Sequence, residues 1–540
     1  MTFYRKHSSQ NTRITKSILF VIMLVAFSSL LLSSHDKVYA SSRQSLQTFP
    51  SPTWTDTVGA EALSSPTIAV IDNVQVLVFG SESGYIYVLN AATGQNMPGW
   101  PEPVEIAQGQ PTAIESSPTV AYLNGKNSPP SIIVGAGSTY VADQQGGLEV
   151  FNANGTVKFI FHTLDIFNEW TNAPYPSGYD QAVFATPAVG DVQGNGQQDI
   201  VFGSWDHRIY ALSPNGKLLP GFPIDNQDTI WSSVALYHVH GPKRADDIFL
   251  GGDSTGRRGC YGGWIMDYAF TGGYEHRMWE HCENQTVWSS PAVGIINGTG
   301  QPAVVVGTGF GEPPPYKSDS YKLFAFYAKN GRPVPGWPVN TAGPSFGSPA
   351  IGYLSGSNTP AVVDTSWCMA CSGAGYPNQG ASKVYAWSGN GHLIWSQTLL
   401  GGNDFSSPIL VNLTGSGEND VLVGSSAGLY PLSGATGSFL FGTSMQSAIN
   451  NCSLQSTPLV AYLSPKLSGS GTETPTGNSG KNTESFGWHV FETCGGPKEV
   501  SPSGKVFSYP LPDTPSVAPA WPMWRQNQNH TGVAASTLHR

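Results

Sequence analysis

Ser64-Ser65-Pro66-Thr67 opens a stretch that runs through Val76-Leu77-Val78-Phe79-Gly80 and Ile86-Tyr87-Val88-Leu89 to Thr93-Gly94 and Gly99-Trp100-Pro101. A proline-led entry, a β-branched run ending on glycine, an alternating apolar run and a glycine turn describe short strands in sequence. No helical period appears in it. Glycine after the third run supplies the positive φ that a tight hairpin turn requires.

The same pattern returns along the chain. Its opening element recurs at Ser116-Ser117-Pro118-Thr119, Ala185-Thr186-Pro187-Ala188, Ser232-Ser233-Val234-Ala235, Ser289-Ser290-Pro291-Ala292, Gly347-Ser348-Pro349-Ala350, Ser406-Ser407-Pro408-Ile409 and Ser456-Thr457-Pro458-Leu459. The hairpin glycine recurs at Gly155, Gly216, Gly273, Gly331, Gly391, Gly437 and Gly504. Eight near-copies of a four-stranded antiparallel unit predict an all-β fold, a β-propeller with one blade per copy. Trp54 to Val58 has the character of a fourth strand lying before the first copy. It is expected to close the ring on the last blade, with a seven-blade or offset count as the alternative.

Composition agrees with many turns between apolar strands: 63 Gly and 41 Pro, with aromatic residues at 11% and charged residues at only 11%. Disorder needs more charge and fewer aromatics. A net charge of −10 without a basic tract excludes nucleic acid as a partner. Residues 1–40 combine a basic stretch (Arg5, Lys6, Arg13, Lys16), the apolar run Ile18 to Leu32 and the small-residue site Val38-Tyr39-Ala40. That is the pattern of a signal peptide. The run is short for a membrane span. A secreted or cell-surface protein is expected, touching membrane only if this segment is left uncleaved. The propeller is expected over 41–535, with a Gly/Ser/Thr-rich insertion at 468–485 and a tail at 536–540; a monomer is expected.

Six cysteines in an exported chain invite disulfides. Cys260 with Cys282, Cys368 with Cys371, and Cys452 with Cys494 are neighbours in sequence, and each pair would staple one blade. Six cysteines allow fifteen pairings, so this connectivity is an expectation.

The serine-proline opening, the valine-rich second strand and the Thr-Gly turn resemble the FG-GAP (VCBS-type) propeller repeat. Leu89 to Gly94 and Leu432 to Gly437 are similar to pyrroloquinoline-quinone-enzyme-like repeats. Trp521-Pro522-Met523-Trp524 with His530-Thr531-Gly532 looks like a terminal motif of such bacterial propellers. The first resemblance implies calcium loops, and Asp191, Gln193, Asn195 and Asp199 come nearest to one, Gln193 departing from the acidic pattern. A polar turn without metal is the stronger expectation there, and no other cofactor is expected. The second implies a quinone-dependent dehydrogenase, for which no cluster of cofactor-contacting charges is evident.

Catalytic spellings weigh little. Gly424-Ser425-Ser426-Ala427-Gly428 matches a nucleophile elbow, which needs a strand-to-helix turn, whereas here two strands flank it. Cys368-Met369-Ala370-Cys371 lacks a following helix to activate a thiolate. Asp206-His207 reads as a solvated hairpin tip. One further position stands out. Three residues before each repeat proline, or Val234 in its place, stand Leu63, Glu115, Phe184, Trp231, Trp288, Phe346, Phe405 and Gln455, five successive blades carrying an aromatic. Phe184, Trp231, Trp288, Phe346 and Phe405 are either a ligand site at one mouth of the channel or blade-to-blade packing. A binding or scaffold module for a glycan or protein is the leading functional reading, with a quinone-dependent dehydrogenase-like or carbohydrate-active enzyme on a propeller scaffold as the alternative.

Overall fold

The computed structural model describes residues 50–533 except 138–144, 164–180, 227, 242–243, 254–259, 261, 272, 310–317, 368–381, 403–404, 442–453, 466–485, 496–503, 512–521, 524 and 528–529. The chain is an eight-bladed β-propeller. Its sheets are eight separate antiparallel units, each in the order of the chain, seven with four strands and one, the seventh, with three among the described residues. The eighth is completed from the N-terminal side: Trp54–Thr57 pairs antiparallel with Lys505–Pro510, Trp54 opposite Ser508. The expected ring closure is therefore present. The predicted leader and tail, the insertion 468–485, and the cysteines Cys368, Cys371 and Cys452 lie outside the described residues.

The first strand of every blade is innermost. Thr67–Ile71, Thr119–Ala121, Ala188–Gly190, Ala235–Tyr237 and Ala292–Ile295 run side by side in that order, and the ring continues to Leu459–Leu463, which lies beside Thr67–Ile71. Second strands such as Asp199–Gly203, Asp247–Gly251 and Asp420–Ser425 are buried at every position. Blades stack on both faces of these strands. This is why they read as continuous apolar runs rather than as alternation.

Among the described residues, blades 1 to 6 are of two alternating kinds. Blades 1, 3 and 5 end in two-residue fourth strands, Glu102–Pro103, Ile224–Asp225 and Val339–Asn340, entered through Gly-Trp-Pro or Gly-Phe-Pro with a cis proline. Blades 2, 4 and 6 carry long fourth strands, Val157–His162, Tyr274–Cys282 and Leu393–Thr398, each facing a register shift in the third strand. Both kinds send an aromatic onto the hairpin of the next blade. From even blades, Trp54, Trp279 and Trp395 donate their indole N–H to the carbonyls of Ala91, Ala328 and Gly434. From odd blades, Trp100 and Trp337 donate to Ala153 and Gly389. Gly331 shows why the hairpin position is glycine: its φ is +65°, and a Cβ there would stand 2.7 Å from the Trp279 ring.

One further element crosses the channel. Arg525, fully buried, donates to the carbonyls of Pro291 and of Val234 (2.6 Å), in blades 5 and 4. His530, also buried, lies 3.0 Å from the Thr67 hydroxyl and 2.9 Å from the Pro118 carbonyl, in blades 1 and 2. The Pro522, Thr531 and Gly532 carbonyls take the free N–H groups of Val460, Leu236 and Val293. A short C-terminal segment thus ties five innermost strands together, satisfying groups that no neighbouring strand can reach.

Candidate functional site at the channel mouth

Entry into six of the eight innermost strands is set by a glycine of the preceding blade; Thr365 and Thr493 take that place in blades 6 and 8. A Cβ on Gly80 would stand 2.3 Å from Ile114, and one on Gly203 2.3 Å from Ile230. The residue four before the proline therefore seats on bare backbone and is buried, as are the equivalent Val183, Val287, Ser345 and Leu454. Extended chain alternates its side chains, so the residues three and one before the proline face the channel.

The residue one before the proline forms a belt of hydroxyl groups. Ser65 N–H donates to Ser117 Oγ (3.0 Å), Ser117 to Thr186 (3.3 Å), Thr186 to Ser233 (2.8 Å) and Ser233 to Ser290 (2.8 Å). Ser348 donates to Ser407 (2.7 Å), Ser407 to Thr457 (3.0 Å) and Thr457 back to Ser65 (2.9 Å). Seven of the eight links are thus made among the described residues. A buried N–H at every blade junction explains why this position is Ser or Thr throughout.

The residue three before the proline forms the layer above. All eight, from Leu63 to Gln455, line one cavity of about 60 Å³, joined by five residues of the belt, Ser65, Ser117, Thr186, Ser233 and Ser290. The five aromatics also touch one another in a closed circuit. Ring centroids are 4.9 Å apart for Phe184 and Trp231, 4.7 Å for Trp231 and Trp288, 4.8 Å for Trp288 and Phe346, and 5.9 Å for Phe346 and Phe405. Phe405 returns to Phe184 at 5.8 Å, a contact between blades 3 and 7 on opposite sides of the ring. Trp205 and Trp367 extend the cluster, 4.5 Å from Trp231 and 5.1 Å from Phe346. The two readings of these residues therefore merge: they pack, and what they leave open is a small cavity. Four of the five remain half-buried rather than buried. Glu115, 6% exposed, is the charged residue in the lining.

Ligand pockets for flat organic molecules run to about 300–1,000 Å³. A tricyclic quinone does not fit this cavity. Among the described residues no group of three His, Cys, Asp or Glu side chains is placed to hold a metal ion.

The calcium-like loop is closed upon itself. Asp191 accepts the N–H groups of Asn195 (3.0 Å) and Gly196 (2.7 Å), and Asp199 accepts the backbone N–H of Gln193 (3.3 Å) and its amide Nε2 (2.9 Å). Gln193 spends its amide donor on Asp199, so one of the two carboxylates is already occupied, and the position holds a neutral side chain where the calcium pattern has an acidic one. Burial raises the Asp199 carboxyl to about pH 6, the Gln193 bonds opposing it.

Cys260 and Cys282 form the expected disulfide across blade 4, and Cys494 is also disulfide-bonded. Ser425 and Gly428 face each other in a strand pair, so the elbow-like spelling is a hairpin. Asp206 corrects the expectation of a solvated tip: it is fully buried and accepts from the Tyr210 hydroxyl and the Arg208 N–H. The C-terminal crossing was visible in sequence only as a motif, since nothing local in Arg525 or His530 says which carbonyls they meet.

No protein-family model matches the chain, and no curated protein matches it by sequence. Solved structures resemble it only distantly. BamB from Moraxella catarrhalis is 11% identical, with 85% of this chain and 100% of that one covered and a TM-score of 0.47. The Dos1 propeller is 10% identical, with coverage of 86% and 96% and a TM-score of 0.48. The quinohemoprotein alcohol dehydrogenase from Comamonas testosteroni is 12% identical, with coverage of 86% and 78% and a TM-score of 0.36. At such identities no residue role passes from those proteins to this chain.

Proposed function

We propose that this protein is a non-catalytic binding module, exported from the cell, that receives a protein or glycan partner at the aromatic mouth of its channel. The observation that carries the reading is the convergence of all eight residues from one repeat position on a single cavity, five of them aromatic and four of those half-buried. Aromatic side chains supply large contact area at low entropic cost, which suits a recognition surface. The blade 4 disulfide supports an oxidising destination.

The test is capture of cell-surface proteins, beside a glycan array, by the intact protein and by Trp231→Ala and Trp288→Ala variants. Loss of a specific partner in variants that keep the native far-ultraviolet spectrum is expected. A partner retained equally by both variants places recognition elsewhere.

A further inference from the structure

Leu393–Thr398 is the outermost strand of blade 6, paired inward with Lys383–Ser388 and with no described strand on its other side. Exposed strand edges invite pairing, and proteins guard them with brevity, charge or proline. The fourth strands of blades 1, 3 and 5 are two residues long. Among the longer described ones, blade 2 carries Lys158, blade 4 Glu275, Arg277 and Glu280, and blade 8 Asp56. Only Leu393–Thr398 among them has neither charge nor proline, and it exposes Leu393 by 55% and Ile394 by 45%. From this unguarded edge we infer that two copies of the chain join blade 6 to blade 6, antiparallel about Gln397, into one continuous eight-stranded sheet. The inference stands apart from the channel-mouth reading and replaces the monomer expected from sequence.

The register decides the partner. Leu399 donates its N–H inward to the Ser382 carbonyl (2.9 Å), and inward bonding alternates along an antiparallel strand, so Trp395 and Gln397 bond inward as well. Ser396 and Thr398 therefore turn their N–H and C=O groups outward. Setting Ser396 opposite Thr398 of a second copy joins all of these groups in four main-chain hydrogen bonds, with Gln397 opposite itself. The same register answers the side chains. Ile394, Ser396, Thr398 and Leu400 form one exposed row, while Trp395 and Leu399 are buried. Ile394 then falls beside Leu400 of the second copy, and Leu400, 52% exposed, beside its Ile394, covering apolar surface at both ends. Such self-complementarity is what a two-fold interface requires. No charge sits in the row to oppose its own copy. The Thr398 carbonyl already accepts the Gln397 amide (3.0 Å) and keeps its second lone pair for the neighbouring strand.

The experiment is sedimentation velocity of the intact protein over a range of concentrations. A species of twice the monomer mass that grows with concentration is expected. Ser396→Pro removes an outward donor without touching the ladder inside the blade, and should leave a monomer with the native far-ultraviolet spectrum. Gln397 opposes itself only in this register. Gln397→Lys and Gln397→Glu should each weaken the dimer about fivefold alone, the scale of like charges set directly opposite, and a mixture of the two should restore it. A parent that stays monomeric throughout overturns the inference, as does a dimer untouched by both the proline and the charges. Charges that weaken the dimer without rescue on mixing overturn the antiparallel register about Gln397. If Ser396→Pro does not fold, the charge pair alone decides. A monomeric parent whose partner capture is lost in Ser396→Pro overturns the dimer and gives the edge to a strand of another protein.

Discussion

Phe184 and Phe405 belong to blades 3 and 7 and yet meet across the channel, their ring centroids 5.8 Å apart. A contact between opposite blades cannot form in an open channel, so these two rings hold the mouth at its present width. Phe405→Ala also loses its stacking on Phe346. For a half-buried ring with two aromatic neighbours the expected cost is about 2 kcal/mol. In a double-mutant cycle, Phe184→Ala and Phe405→Ala should cost less together than their sum by about 1 kcal/mol. Strict additivity in urea unfolding would show that the contact carries nothing.

Arg525 joins carbonyls from two blades through one planar group. Arg525→Met leaves both the Pro291 and Val234 oxygens without their donor, at about 1–3 kcal/mol each. A marked drop in the thermal midpoint is expected, with only partial rescue by Arg525→Lys, whose point charge cannot serve two carbonyls in a fixed fork. An unchanged midpoint in Arg525→Met would remove the C-terminal crossing from the stability of the ring.

Burial raises several carboxyls: Glu149, Asp247, Glu283 and Asp364 to about 7, and Asp267 to about 9. In each case desolvation is the largest cause. A folded-state pKa above the unfolded value means the folded protein holds more protons, so this stability is full below about pH 4 and is lost as pH rises through about 7. His489, lowered by burial to about 4, opposes the trend between about pH 4 and 6.5 as a single group. The thermal midpoint should be higher at pH 5 than at pH 8. Asp364→Asn, which removes one fully buried carboxyl beside Ser345, should shrink that difference. A midpoint that climbs from pH 5 to pH 8 contradicts the assignment.

Gln193 occupies the ligand position that the loop lacks. Gln193→Asp removes the amide donor to Asp199 and supplies a third carboxylate. Calcium should raise the thermal midpoint of that variant by several degrees and leave the parent protein unmoved. Calcium-dependent heat in the parent, abolished by Asp191→Ala, would mean that the loop opens to bind metal as it stands.

The ring was legible because its cause is local. Each glycine that ends a second strand seats an incoming side chain, as Gly80 seats Ile114, and each Ser or Thr before a proline answers a buried N–H, as Ser117 answers Ser65. Such demands recur from blade to blade, glycine in six and Ser or Thr in all eight, and so leave a periodic trace. The aromatic position was legible for the same reason. Its closure was not, because Phe184 and Phe405 are more than two hundred residues apart and their meeting depends on channel width. Asp206 was misjudged for a related reason: a hairpin tip looks solvated until the Tyr210 hydroxyl folds over it. Arg525 and His530 act once each, and an event that happens once has no period to betray it.

The alternation of fourth strands has a consequence for how such a ring changes size. A blade of one kind offers an aromatic from a long strand, and the next offers it from a Gly-Trp-Pro corner, so the junctions among blades 1 to 6 join unlike partners. Deleting a single blade would set two like edges against each other, whereas deleting a neighbouring pair restores a matched seam. In the grammar of this ring the word is two blades long, and blades 1 to 6 spell it three times.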